Sequence, residues 1–146
     1  MHVHPFITVR HGTQIVYFSY RGISTQPSQN QAFVFTTKTA QRGTSGYDAS
    51  TGRFTASIAG LYLFTVNACV QSSSYLNLQI VQDDAPLLAS SHYGLSGTNP
   101  CFSLQAFADL TSGQQVWVKC ANYCNNYHHD ADSIWMQFSG ALIQKA

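Results

Sequence analysis

Gly46-Tyr47-Asp48-Ala49-Ser50-Thr51-Gly52-Arg53-Phe54-Thr55-Ala56, followed after three residues by Gly60-Leu61-Tyr62-Leu63-Phe64, is the stretch whose reading decides the fold. Its small and polar residues up to Gly52 signal a turn. Phe54-Thr55-Ala56 reads as a brief strand that ends near Gly60. In the run that follows, Tyr62, Phe64, Val66 and Ala68 share one face, and Leu61, Leu63, Thr65, Asn67 and Cys69 share the other. The first face is wholly apolar and belongs to a core. The second opens with two leucines, more than a face in water carries, so a second buried surface is expected, most simply against another subunit. No acid, base or nucleophile stands in this stretch in a catalytic arrangement.

Upstream, Ile15–Tyr20 is rich in β-branched and aromatic residues and reads as a strand. Ala32–Thr36 reads as a second short strand, with Gly22–Gln31 and Thr39–Gly46 as polar loops. Residues 1–13 form an irregular arm carrying three of the six histidines. Downstream, Leu76, Leu78 and Ile80 alternate with Tyr75, Asn77 and Gln79, a strand with one face in water. Asp83-Asp84-Ala85-Pro86 turns the chain into Leu87–Ala89, and Ser90–Pro100 reads as a loop. Phe102, Leu104, Ala106, Ala108 and Leu110 recur at period two. Thr111–Gln114 turns into the strand Val116–Cys120, and Ala121–Ser133 is a second long loop. Ile134, Met136, Phe138 and Leu142 close the pattern. No window carries a capped helical period. The chain is all-β, an antiparallel sandwich or jelly roll of roughly eight to ten short strands.

With 146 residues, the chain is one domain able to bury a proper core. Only 9% of its residues are charged and its formal net charge is +1. Its surface therefore consists largely of Ser, Thr, Asn and Gln, which bond neutral polar ligands well and steer charged ones poorly. That balance offers no electrostatic case for nucleic acid or for an anionic membrane. No apolar run approaches the ~18 residues of a membrane span. Met1-His2-Val3-His4-Pro5 lacks the basic region and apolar run of a secretory leader, so a leader is either already removed or not used. The cysteines Cys69, Cys101, Cys120 and Cys124 permit two disulfides and do not have zinc-finger spacing.

Tyr47-Asp48, Thr51-Gly52-Arg53-Phe54-Thr55-Ala56 and Gly60-Leu61-Tyr62-Leu63-Phe64 resemble, in type and spacing, the central signature of the complement C1q globular-head family, within the wider tumour necrosis factor-like jelly rolls. Leu110-Thr111-Ser112-Gly113-Gln114-Gln115-Val116-Trp117-Val118 is similar to its leucine, glycine, valine-tryptophan element. Ser133, Phe138-Ser139-Gly140 and Leu142 resemble its closing strand, and together the likeness covers roughly Gln14 to Gln144. The chain departs from the pattern in four places. Gln41-Arg42 precedes the Tyr-Asp pair with one extra loop residue, Val66 replaces a second aromatic, Trp135-Met136-Gln137 leads into the closing strand, and Asp83-Asp84 replaces an Asn-Gly turn. No collagen-like repeat of glycine at every third position is present.

The resemblance implies a ten-stranded, two-sheet jelly roll over residues 14–146 and a tight homotrimer packed through the sheet that holds the first, last and Gly60–Cys69 strands. In that topology the strand ending at Cys69 neighbours the strand starting at Cys101. It implies the pair Cys69–Cys101, with Cys120–Cys124 as a loop clasp; four buried free thiols are the alternative. It also implies an extracellular setting. No cofactor is required, although several family members bind calcium near the trimer apex through acidic and amide side chains.

His128-His129-Asp130 with Asp132 offers imidazole and carboxylate donors for a metal, but neighbouring side chains on an extended segment diverge. No nucleophile elbow, phosphate loop or pair of catalytic carboxylates is present, and catalysis is not expected. The better candidates are the loops at Gln71–Ser74, His92–Pro100 and Ala121–Ser133, where a jelly roll exposes a rim. Asn122, Tyr123, Asn125, Asn126, Tyr127, His128, His129 and Asp130, with His92 and Tyr93, combine amide donors and acceptors with aromatic plates. That is the chemistry a sugar needs, hydrogen bonds to its hydroxyls and a plate under its C–H face. The expectation is a secreted, non-enzymatic, lectin-like homotrimer that binds carbohydrate or other microbial surface ligands in innate immunity. The rival is a cytokine-like signalling ligand, or an extracellular structural or metal-binding assembly module.

Overall fold

A computed structural model describes residues 14–43, 46–128 and 135–146. The irregular arm expected over residues 1–13 lies outside them, as does Ile134. Among the described residues the strands are β1 Tyr17–Ile23, β2 Phe35–Arg42, β3 Tyr47–Asp48, β4 Arg53–Thr55, β5 Gly60–Cys69, β6 Tyr75–Gln82, β7 Ala85–Tyr93, β8 Cys101–Leu110, β9 Gln115–Asn122 and β10 Gln137–Lys145. They form two antiparallel five-stranded sheets, ordered β2-β1-β10-β5-β8 and β3-β4-β9-β6-β7. This is the jelly-roll sandwich that the sequence pattern implies.

Aromatic residues fill the space between the sheets. Phe18, Phe33, Phe35, Phe54, Tyr62, Phe64 and Phe138 are all buried. The Phe18 ring stacks on Tyr47 at 5.0 Å and on Phe54 at 5.2 Å, and meets Phe138 edge-on at 5.1 Å. Such offset and edge contacts add specificity to the burial itself. Gly140 makes this packing possible: a Cβ there would lie 2.5 Å from a Phe18 ring carbon and 2.7 Å from Phe64. Tyr47 ties the opening motif to β2. Its hydroxyl donates to the Phe35 carbonyl at 2.7 Å and accepts from the Phe35 N–H at 3.0 Å. Burial raises the Tyr47 phenol well above its usual range. Gly52 closes the turn with φ at 78°, where a side chain would run into the Phe33 carbonyl.

Two boundaries differ from the sequence reading. The polar run from Thr36 to Arg42 is strand, paired with β1, where a loop was expected from Thr39. β2 is an edge strand whose residues after Phe35 are all exposed, so it carries no apolar alternation to betray it. Likewise β7 continues through Tyr93, where a loop was expected from Ser90. Its partner is β6, in register from Gln82↔Ala85 to Tyr75↔Tyr93. Asp83 and Asp84, at φ 47° and 70°, make the two-residue turn between them, a geometry in which Asp is tolerated in place of Asn-Gly. Both carboxylates are then used: Asp83 accepts from Gln115 N at 2.9 Å, and Asp84 pairs with Lys119 at 2.9 Å.

Cys69 and Cys101 are joined, as are Cys120 and Cys124. The first bridge ties β5 to β8 at the end of their full ten-residue register. The second clasps the end of β9 to the loop that follows it.

Candidate functional site

The outward face of the β1-β10-β5-β8 sheet is graded from apolar to polar. Pairing places Tyr17, Ala141, Leu63 and Phe107 side by side in one row across four strands. Phe107 is 63% exposed, Leu63 is half-buried, and Ile143 is 52% exposed in the last strand. The next row is Ser19, Ser139, Thr65 and Gln105, and the one beyond holds Arg21, Gln137, Asn67 and Ser103. These polar residues satisfy one another. Ser103 Oγ bonds Asn67 Oδ1, Asn67 Nδ2 donates to Gln137 Oε1 at 3.2 Å, and Gln137 Nε2 donates to Ser19 Oγ at 2.8 Å. A shallow hollow of about 280 Å³ lies on the apolar side, lined by Tyr17, Leu63, Thr65, Ser139 and Ala141. The second apolar face expected for the Gly60–Cys69 strand is therefore present.

The loop end of the other sheet carries a different cluster. Tyr75, which opens β6, has its ring 4.6 Å from Tyr93 and 5.6 Å from Tyr123. The three rings are packed together yet remain 48%, 44% and 46% exposed. Strand pairing sets Tyr93, and the clasp sets Tyr123. Tyr123 takes φ 57° directly before Cys124, and its N–H donates to Asn122 Oδ1 at 2.9 Å. Asn126 Nδ2 donates to the Tyr75 carbonyl at 2.9 Å, and the Asn126 carbonyl accepts from Gln71 N at 2.8 Å. The tyrosines thus stand on a braced floor rather than on a free loop. Next along β6 on the same face, Asn77 is flanked by Ser91 and Asn122 as cross-strand partners. Its Oδ1 is buried without a hydrogen-bond partner. No formal charge lies among these side chains.

Of the residues the sequence proposed, the structure gathers Tyr93, Asn122, Tyr123 and Asn126. Asn125 is exposed on the same loop. His92 is not part of the cluster. It points from β7 to the opposite side from Tyr93, contacts Ser90, and stacks on Phe102 with 3.4 Å between centroids. There it packs between the edge strands of the two sheets, and burial holds its imidazole below the ordinary histidine range. Tyr127 is also corrected: it is 3% exposed, bridges to Val70, and meets Phe33 edge-on at 6.0 Å, so its ring is core rather than rim. Burial raises its phenol. His128 lies beyond it, edge-on to Trp135 at 5.4 Å. His129, Asp130 and Asp132 lie outside the described residues. Among the described residues no three His, Cys, Asp or Glu side chains converge on a common point. Tyr75 is the member that sequence reasoning missed. It occupies the water-facing phase of its strand, and only the pairing with Tyr93 marks it as more than a surface residue.

Residues 17–143 match the family model of the C1q domain. The globular domain of zebrafish complement 1qA protein is similar in structure, with TM-score 0.73 and 23% identity, covering 90% of this chain and 99% of that one. Murine APRIL at pH 5.0 is similar with TM-score 0.70 and 11% identity, covering 89% of this chain and 100% of that one. Murine APRIL at pH 8.0 gives TM-score 0.68 and 10% identity over the same shares. At these identities the structural likeness concerns the fold. Folds of this type typically assemble as trimers, and C1q domain proteins are typically extracellular and in general non-enzymatic. Among the described residues no helix is long and apolar enough to cross a membrane. Family model and structural likeness agree on a C1q domain with a two-sheet jelly-roll fold. The chain belongs to the C1q domain family.

Proposed function

We propose that the chain is a secreted, non-enzymatic recognition protein that works as a homotrimer and binds neutral carbohydrate on microbial surfaces, in the manner of a lectin of innate immunity. The carrying observation is the packed, half-exposed trio Tyr75, Tyr93 and Tyr123. Three rings held against one another lose little freedom when a ligand arrives, and each offers a flat face to the C–H side of a pyranose. Asn122, Asn125 and Asn126 supply amide donors and acceptors around them. The absence of charge in the cluster favours a neutral sugar over an anionic one.

The other sheet supports trimer formation. A row containing an exposed Phe107 beside Leu63 and Tyr17 is an unusual thing to leave in water. Its burial against two further copies leaves the tyrosine cluster of each subunit on a different sheet. Three weak sites on one rigid body then gain strength on a repetitive surface.

The test is a glycan array probed with the trimer, alongside Tyr75→Ala/Tyr93→Ala/Tyr123→Ala. Binding to neutral glycans that disappears in the triple variant, with an unchanged trimer, supports the reading. Silence across glycans and bacterial polysaccharides overturns it and leaves the cytokine-like alternative.

A further inference from the structure

A polar groove of about 630 Å³ lies on the β3-β4 side of the second sheet, away from the tyrosine cluster, lined by Asn30, Gln31, Asp48, Thr51, Arg53 and Gln115 among others. Two opposite charges face it. Asp48 and Arg53 are direct cross-strand partners of the β3-β4 hairpin. Side chains at such positions start about 5 Å apart on one face of the ribbon, close enough for an ordinary ion pair. They do not form one: among the described residues the ion pair is Lys119–Asp84.

Each charge is held elsewhere instead. The Arg53 guanidinium lies over the Trp117 ring at 4.0 Å, and Nη1 donates to Gln115 Oε1 at 3.3 Å. Gln115 is fixed in turn by a 2.9 Å bond from its Nε2 to Thr55 Oγ1. Stacking and one hydrogen bond fix the plane of the guanidinium and leave its remaining N–H groups for an outside acceptor. On the opposing strand, Asp48 Oδ1 accepts from Ser50 N at 2.8 Å and from Ser50 Oγ at 2.6 Å. Together with Thr51, these bonds hold the carboxyl below the usual carboxylate range, and the side chain stays exposed to the groove.

We propose that this groove is a second binding site, for a small zwitterionic group whose anionic oxygens meet Arg53 and whose ammonium meets Asp48. An anion alone gains Arg53 but faces Asp48, and a cation alone meets the reverse. A group carrying both charges satisfies both residues in their present positions, with little side-chain freedom left to lose. An amino-alkyl phosphate and an amino acid share this chemistry. The groove lies on the sheet opposite the Leu63–Phe107 row, so trimer packing through that row leaves it open.

The test follows backbone amide shifts of Ser50, Thr51 and Arg53 by NMR during titration with O-phosphoethanolamine and with γ-aminobutyrate. Inorganic phosphate and ethanolamine serve as single-charge controls. At least one zwitterion is expected to shift these amides and to bind about tenfold tighter than either control, the loss expected when one charge-assisted contact is missing. Asp48→Asn keeps the oxygen that Ser50 bonds. It should weaken the zwitterion about tenfold while strengthening inorganic phosphate. Arg53→Met should abolish both, and Arg53→Lys, which keeps the charge, covers the case in which the methionine variant folds poorly. Tyr75→Ala should leave all of this unchanged, so failure here and failure of the sugar reading are separable. Absence of shifts at the groove, phosphate binding as tightly as the zwitterion, or an Asp48→Asn variant of unaltered affinity would each overturn the proposal.

Discussion

Tyr75 opens β6 directly opposite Tyr93 at the end of β7, and their rings lie 4.6 Å apart although both side chains remain nearly half exposed. A cross-strand aromatic pair is worth about 0.2–1 kcal/mol, far less than a buried ring. Replacing Tyr75 by Ala should therefore cost about 1 kcal/mol of stability or less, while removing the central plate of the three. The expected outcome is a near-wild-type denaturant midpoint with a clear loss of glycan binding. Equal losses in both measurements would show that the tyrosines serve the fold alone.

Tyr47 is the opposite case, because its hydroxyl serves the interior. It bonds both the N–H and the C=O of Phe35. Tyr47→Phe keeps the stack on Phe18 but leaves two buried backbone groups short of a partner, at a cost of about 1–3 kcal/mol. Urea unfolding should show a lower midpoint with an unchanged slope. A midpoint equal to wild type would mean that water replaces the hydroxyl.

This contrast explains how much was legible in the sequence. Tyr62, Phe64 and Val66 sit in an alternating pattern whose period alone assigns them to a core, and they are buried as expected. β2 was not legible, because an edge strand with both faces in water has no reason to alternate. Neither was the loop-end cluster. Tyr75, Tyr93 and Tyr123 lie on three separate segments, and their meeting depends on the β6-β7 register and on the clasp beside Tyr123. Tyr127 and His92 carry the same residue types as their neighbours but fall on the inward phase, which a loop reading cannot resolve. Asp48 and Arg53 both stand in the motif that decides the fold, yet only the cross-strand pairing and the Trp117 stack show two charges sharing a groove unpaired.

The two disulfides should differ in what they contribute. Cys69–Cys101 closes a loop with a sequence separation of 32, and Cys120–Cys124 one with a separation of 4. Chain-entropy reasoning gives about 3–4 kcal/mol for the first and about 2 kcal/mol for the second. The Cys69→Ala/Cys101→Ala variant should melt well below Cys120→Ala/Cys124→Ala, which in turn should loosen Tyr123 and weaken glycan binding. Intact mass before and after reduction checks the bridges themselves, and an unchanged mass would refute both.

His92 makes stability depend on pH. Burial against Phe102 holds its folded pKa below the ordinary histidine value of 6.5. The unfolded chain therefore takes up the proton first as pH falls, and stability declines from about 6.5 down to the lower folded value. Above that window the residue adds no slope. Denaturant midpoints measured across it should fall on acidification for the wild type and flatten for His92→Phe, which keeps a ring over Phe102. A slope that survives this substitution would assign the effect to another group.

Phe107 tests the assembly with the least disturbance to the subunit. It lies beside Leu63 in the apolar row and is 63% exposed on the isolated chain, so Phe107→Glu removes little from the monomer's own core. In the proposed trimer the same carboxylate would be buried three times without partners, each costing several kcal/mol. Sedimentation should therefore show trimer for the wild type and monomer for the variant, with unchanged far-ultraviolet dichroism. The tyrosine cluster remains whole in that monomer, so binding to a single soluble sugar should persist while binding to a repetitive surface collapses. A variant that stays trimeric would move the interface away from this row.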